Sequence, residues 1–229
     1  DMDGNGGATF KGTVTVGYDI FGNKYETTVA NIEYEMIGGQ ARAKIANTKT
    51  HSKSLDLSES WTASSMTYTY ENRTRGDGRT GKILVGVAVN EATAISTLKD
   101  QSFTAGGTVT VGKDAFGNTY SSVVFNEYII INGKPLVDSA VTVTVGSNVD
   151  DSTTLSVSSL GYEYDRGNLS GLKEQVPFSI ATDKLGADVV AILNKVTVNG
   201  AENTDLIIIT DETITFTEDI SYSDDVFDN

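Results

Sequence analysis

An all-β protein made of two tandem, internally repeated, β-sandwich-like units is predicted by three features of this 229-residue chain. The first is a duplicated cassette. Residues 12–25 read GTVTVGYDIFGNKY and residues 107–120 read GTVTVGKDAFGNTY, with eleven of fourteen positions identical at an offset of 95. The likeness continues through Asn31, Glu33 and Tyr34 against Asn126, Glu127 and Tyr128, and through YTYE at 68–71 against YEYD at 162–165. A repeat of that length has the size of one β-sandwich domain. The second feature is composition: Thr, Val, Ile and Tyr fill the periodic segments, which favours strands. The third is punctuation. With 23 Gly and only 2 Pro, the turns must be made from Gly, Asn and Asp. The units are expected over 1–100 and 101–229, the second carrying extra C-terminal strands.

The elements follow in order. Residues 1–7, DMDGNGG, read as a flexible or metal-ordered lead-in. Phe10 to Tyr18 alternates polar and apolar side chains, the period of a half-buried strand. Asp19 to Asn23 is a turn, because Gly and Asn tolerate positive φ. Lys24 to Ile37 supplies one or two strands, closed by Gly38 and Gly39. Residues 41–46 alternate again, and 47–54 read as a polar connection. Leu55 to Tyr70 is expected to hold two strands around Trp61. The segment 71–82, ENRTRGDGRTGK, reads as a polar loop before a strand over Ile83 to Val89. Asn90 is a good N-cap, so Glu91 to Lys99 is expected to form a short helix. Thr182 with Asp183 to Leu193 repeats that helix in the second unit, weakened by Gly186. Leu206 to Thr210 and Thr213 to Ile220 are strand candidates with no evident counterpart in the first unit. They either cap an edge of the second unit or pair with a neighbouring subunit. Immunoglobulin-like and jelly-roll-like sandwiches both satisfy this element order.

The formal net charge is -14 and is uneven. Residues 1–100 carry 11 Lys and Arg against 12 Asp and Glu, whereas 101–229 carry 6 against 19. Such a field repels nucleic acid and anionic membranes, which rules both out as expected partners. No apolar run reaches the ~20 residues of a spanning helix. Cysteine is absent, so neither a disulfide scaffold nor thiol chemistry is available. A start at Asp1 rather than Met is read as removal of a leader or as a trimmed sequence, and the composition as that of an extracellular or cell-surface protein.

Among the motifs, Asp1, Asp3 and Asn5 followed by Gly6 have the oxygen spacing that opens a calcium loop. Gly12 stands where the closing bidentate Glu belongs, so a complete EF-hand is rejected. An incomplete site could be finished elsewhere, and Asp150, Asp151, Asp219, Asp224 and Asp225 are the other acidic candidates for Ca2+. The four Tyr residues 68, 70, 162 and 164 share a strand face and read as packing more readily than as a sugar platform. Arg73, Arg75, Arg79 and Lys82 form the basic cluster, with the acidic C-terminal segment as its electrostatic counterpart. Arg75-Gly76-Asp77 within it is an integrin-type tripeptide short enough to arise by chance. Asn72 and Asn168 begin N-glycosylation patterns. His51, the one histidine, has no evident nucleophile turn beside it, and no zinc pattern is present. No enzyme is expected.

The paired turns, Asp19, Phe21, Gly22 and Asn23, and Asp114, Phe116, Gly117 and Asn118, resemble a turn of secreted bacterial immunoglobulin-like repeats of the invasin and adhesin kind. The resemblance covers about ten residues of each unit. It implies a sandwich fold and a surface location. Each Phe is expected to plug the end of its unit. The expected function is an extracellular structural subunit that self-assembles into a filament, sheath or surface layer as a homopolymer, by strand exchange. The alternative is a calcium-dependent adhesin or carbohydrate-binding module with a glycan or cell-surface partner.

Overall fold

The computed structural model describes residues 12–74, 76–95, 102–173, 178–185, 190, 193, 207–210, 212–217 and 219–224. The side chains of Gly12, residues 30–32 and residues 222–224 are outside that description. Its architecture is all-β. Among the described residues, one eleven-stranded sheet carries two small sheets, one of three strands and one of two. The repeat therefore runs through a single continuous sheet, not through two separate sandwiches as the sequence suggests.

The large sheet begins with four antiparallel strands, β1 (Gly12–Tyr18), β2 (Lys24–Ile37), β3 (Gln40–Lys53) and β4 (Glu59–Thr74). Two of the expected connections are strand. Residues 47–53 continue β3, with Lys49 opposite Ala63 and His51 opposite Trp61. Polar residues fill both faces of this stretch, Thr48, Thr50 and Ser52 on one and Asn47, Lys49, His51 and Lys53 on the other, so the alternation that marks a strand is missing from the sequence. Residues 71–74 and 80–82 likewise extend β4 and its partner β5 (Thr80–Val89), leaving only the hairpin tip between them. Leu55 to Tyr70 holds one strand, not two. Gly38 and Gly39 sit at φ 58° and 77°, closing the β2–β3 hairpin in the region glycine adopts without strain.

The chain then forms the two-stranded sheet, β6 (Ala92–Ile95) with β7 (Ser102–Ala105). The helix expected from Glu91 is absent through Ile95. Alternating Ala92 and Ala94 are buried while Thr93 bonds Thr104, and that packing overrides the N-cap signal. Residues 96–99 lie outside the described residues. β8 (Thr108–Lys113) enters the large sheet between β4 and β9 (Thr119–Ile131), followed by β10 (Lys134–Ser147), β11 (Thr153–Asp165) and β12 (Asn168–Lys173). β13 (Phe178–Ala181), β14 (Ile207–Ile209) and β15 (Thr213–Phe216) make the three-stranded sheet in the order β13-β15-β14. Between β13 and β14, Thr182–Lys184 forms one 3-10 turn that ends at an extended Leu185, so the helix expected over Asp183 to Leu193 does not start there; of its later residues only Val190 and Leu193 are described, and both are helical. Gly186 lies outside the described residues. β16 (Ile220–Asp224) returns to the large sheet beside β11.

The core lies where the small sheets cover the large one. Ala94, Phe103 and Ala105 pack over Trp61, Ala63, Val109 and Val111; Ile180, Ile214 and Phe216 belong to the same buried cluster as Val123, Val143, Leu155 and Val157. Fully burying each Val, Leu, Ile or Phe among them stabilises by roughly 1.5–3 kcal/mol. The extra strands β14–β16 are thus accommodated within the chain's own fold.

Candidate assembly edge

The Asp, Asn, Gly and Tyr positions of the duplicated cassette have structural reasons. The Asp19 carboxylate accepts from the backbone N–H of Phe21 and Asn23 and from Asn23 Nδ2, at 2.8, 3.0 and 2.7 Å. Asp114 repeats this with Phe116 and Asn118 at 2.8, 2.9 and 2.7 Å. Bonds from Asn23 foremost hold the Asp19 carboxyl below its ordinary pKa. Desolvation pushes Asp114 up, but bonds from Asn118, Phe116 and Gly117 outweigh it and the net shift is downward. Asn23 and Asn118 then accept from Leu55 N and Val149 N, tying each turn to its neighbour. Gly17 and Gly112 face Tyr25 and Tyr120 across their hairpins, and a Cβ on either would fall within 2.5 Å of the ring.

The two Phe residues do not plug anything. Phe21 is 72% and Phe116 84% exposed. With Ile20, Leu55, Leu57 and Val149 they form an exposed apolar rim on four turns at one end of the sheet. The turn is rigid without its Phe, because the Asp–Asn bonds and a positive-φ Gly hold the backbone.

The same strand sequence meets opposite fates in its two copies. In β8, Val109 and Val111 are each 0% exposed. That strand pairs with β9 on one edge and with β4 on the other, Ala63 opposite Val109 and Glu59 opposite Lys113. In β1, the equivalent Val14 and Val16 are 45% and 54% exposed. Among the described residues β1 pairs with β2 alone. Its other edge has no partner strand among the described residues, and such an edge is a template for another strand.

At the far end of the sheet, β16 copies β8. Ile220 to Asp224 pair with Val157 to Thr153 in the same direction and register in which Val109 to Lys113 pair with Ala63 to Glu59. β15 and β13 copy β7 and β6 as well: Phe178 opposite Phe216 repeats Ala92 opposite Ala105. Residues 213–224 therefore replay 102–113 at an offset of 111. Only one residue of the twelve is identical, Thr215 for Thr104, but apolar residues recur at the same alternate positions. That alternation was the available signal, and identity alone hides it.

The acidic candidates are dispersed. Asp150 accepts from the N–H and hydroxyl of Ser152 at 3.1 and 2.7 Å, closing its own turn. Asp56 with Ser58 repeats that turn in the first unit. Bonds from Ser152 lower the Asp150 pKa. Asp151 adopts φ 68° at the turn corner. Asp219 accepts from Ser159 N at 2.8 Å, and Asp224 ends β16. Asp1, Asp3, Asn5 and Asp225 lie outside the described residues. Among the described residues, no three His, Cys, Asp or Glu side chains are placed to share a metal ion.

The remaining candidates have structural partners. Tyr70 and Tyr164 donate to Ala43 O and Val137 O at 3.0 and 2.6 Å, equivalent bonds in the two units. His51 stacks on Trp61 with ring centroids 4.8 Å apart. It approaches buried Glu59 at 3.4 Å, and Lys53 bonds the same carboxylate at 2.6 Å. Lys53 foremost, then His51, holds the Glu59 carboxyl below its usual pKa against burial. Of the basic cluster, Lys82 bonds Glu35 and Arg79 lies 3.9 Å from Asp77, while Arg75 is outside the described residues. Asn72 and Asn168 are exposed on β4 and β12. No helix among the described residues is long and apolar enough to cross a membrane. Comparison with protein-family models, curated proteins and solved structures gives no match.

Proposed function

We propose that this chain is an extracellular structural subunit that assembles into a homopolymer by continuing its sheet from copy to copy. One observation carries the reading: the GTVTVG strand is sealed between β4 and β9 in its second occurrence, whereas in its first it pairs, among the described residues, on one edge only and has exposed valines. The chain thus holds both halves of a junction it already makes internally. Exposed apolar residues also gather at the two ends of the sheet, Tyr34 and Met36 on β2 and Leu169 and Leu172 on β12. Stacking head to tail sets the nearly neutral first unit against the strongly acidic second one, which favours that orientation. Negative-stain imaging with light scattering tests this. Fibres or sheets are expected from concentrated protein, and a strictly monomeric protein across salt and calcium concentrations overturns the reading.

The second reading, a calcium-dependent adhesin or glycan-binding module, is favoured by the apolar rim at Ile20, Phe21 and Phe116. Saturable glycan binding by a stable monomer would select it. Calcium is carried by the Asp1, Asp3 and Asn5 spacing alone. Neither reading assigns a catalytic role to any residue.

A further inference from the structure

We infer that β16 is a resident cap on the β11 edge, displaced during assembly by β1 of a second copy of this chain. The inference rests on the self-assembly reading and specifies its junction.

The internal template defines the geometry. Within one chain, β4 receives the cassette strand β8, and β5 lies beside β9 in the same row of the sheet. Across the repeat, β11 corresponds to β4 and β12 to β5. The strand that belongs beside β11 is therefore a cassette strand, and β16 occupies its place in identical register. A cassette strand with no second partner among the described residues exists on every copy as β1. Transferring the β8 register puts Val14 opposite Val157, Thr15 opposite Ser156 and Val16 opposite Leu155. Val157 and Leu155 are buried, so both valines would enter a core already formed.

The surroundings of β1 favour this slot over a role as an ordinary edge strand. Residues equivalent to buried Val141 and Val143 are Asn47 and Lys49, and the equivalent of Val123 is Thr28. The neighbouring strands β2 and β3 thus have polar side chains where the second unit has core. On β1 alone the valines persist. An apolar strand beside polar ones is what a junction requires when only β1 slides under the neighbour's small sheet.

β16 holds the advantage of being tethered, which keeps a free copy closed. An incoming β1 brings β2 with it. β2 then lies against β12 as β9 lies against β5, placing Tyr34 and Met36 near Leu169 and Leu172. The five residues of β16 cannot supply that contact.

Because the chain has no cysteine, introduced thiols report pairing without background. Ser156 and Ser221 face each other across β11 and β16 and both are exposed, and directly opposed antiparallel residues lie within disulfide reach. The double variant Ser156→Cys with Ser221→Cys is expected to stay monomeric when oxidised and to polymerise like the unmodified protein when reduced. Mixing the single variants Thr15→Cys and Ser156→Cys is expected to give intermolecular disulfides in the polymer. Polymerisation of the oxidised double variant at the unmodified rate overturns displacement while leaving self-assembly standing. Discrete dimers without the Thr15 cross-link indicate reciprocal exchange of β16 and also overturn it. If the unmodified protein never polymerises, the self-assembly reading and this one fall together.

Discussion

Ile220 stands in the second unit where Val109 stands in the first. Val109 faces Ala63 across β4 and β8, and Ile220 faces Val157 across β11 and β16. Both are buried, although their sequence neighbourhoods are unalike. Truncating either leaves a cavity, so Val109→Ala and Ile220→Ala should each destabilise the monomer by ~1–4 kcal/mol. Val14→Ala, at the third cassette position, should change monomer stability by less than ~0.5 kcal/mol. Urea titration of the three variants checks this. A Val14 variant as unstable as Val109→Ala would mean that β1 is already covered.

Phe21→Ala and Phe116→Ala should each alter unfolding by less than ~1 kcal/mol, because neither ring is buried. If the rim makes contacts in the polymer or with a surface ligand, the same variants lose association or binding while melting normally. A loss of several kcal/mol would place the rings in a core.

Gly112→Ala should be destabilising, since its new methyl would overlap the far end of the Tyr120 ring and force that side chain to shift. The companion change Tyr120→Leu in the same chain removes the overlap and should restore part of the loss. Thermal melts of the single and double variants measure that coupling.

Asp19, Asp114, Asp56 and Asp150 all have folded-state pKa values below their ordinary ones. Lowered carboxyls contribute stability that is present above the unfolded value, near 3.9, and lost as pH falls through the folded one. Melting temperature should therefore hold from neutral pH to about pH 5 and drop below it. Asp114→Asn should flatten that acid limb. An acid limb unchanged in the variant would remove Asp114 from the account.

Polymerisation should accelerate with added salt. A chain of net charge -14 repels its copies, and screening shortens the range of that repulsion to about 10 Å at 0.1 M. Millimolar calcium beyond the effect of equal ionic strength, seen as a raised melting temperature reversed by EDTA, would identify specific binding. Identical melts with magnesium and calcium would reduce the acids to a general charge effect.

The sequence by itself determined the all-β class, the repeat, the Asp–Gly–Asn turns and the presence of strands after residue 206, although the single strand expected over Thr213 to Ile220 is two, β15 and β16, in different sheets, and both have counterparts in β7 and β8. Each is a local signal: alternation with period two, positive-φ residues at turns, and a repeated string that must fold alike twice. It misplaced the strand ends, because residues 47–53 of β3 and 71–74 of β4 are polar on both faces and so lack the alternation that marks a strand. It also predicted a helix at Glu91, where the packing of Ala92 and Ala94 decides for strand, and buried two Phe rings that the turn leaves outside. Only the tertiary structure decided which copy of GTVTVG is core. The strand is the same string in both places, and burial depends on whether β4 lies beside it. The equivalence of β16 and β8 is likewise invisible to identity, since strand pairing runs through backbone groups that every residue carries and asks of the side chains only that alternate ones be apolar.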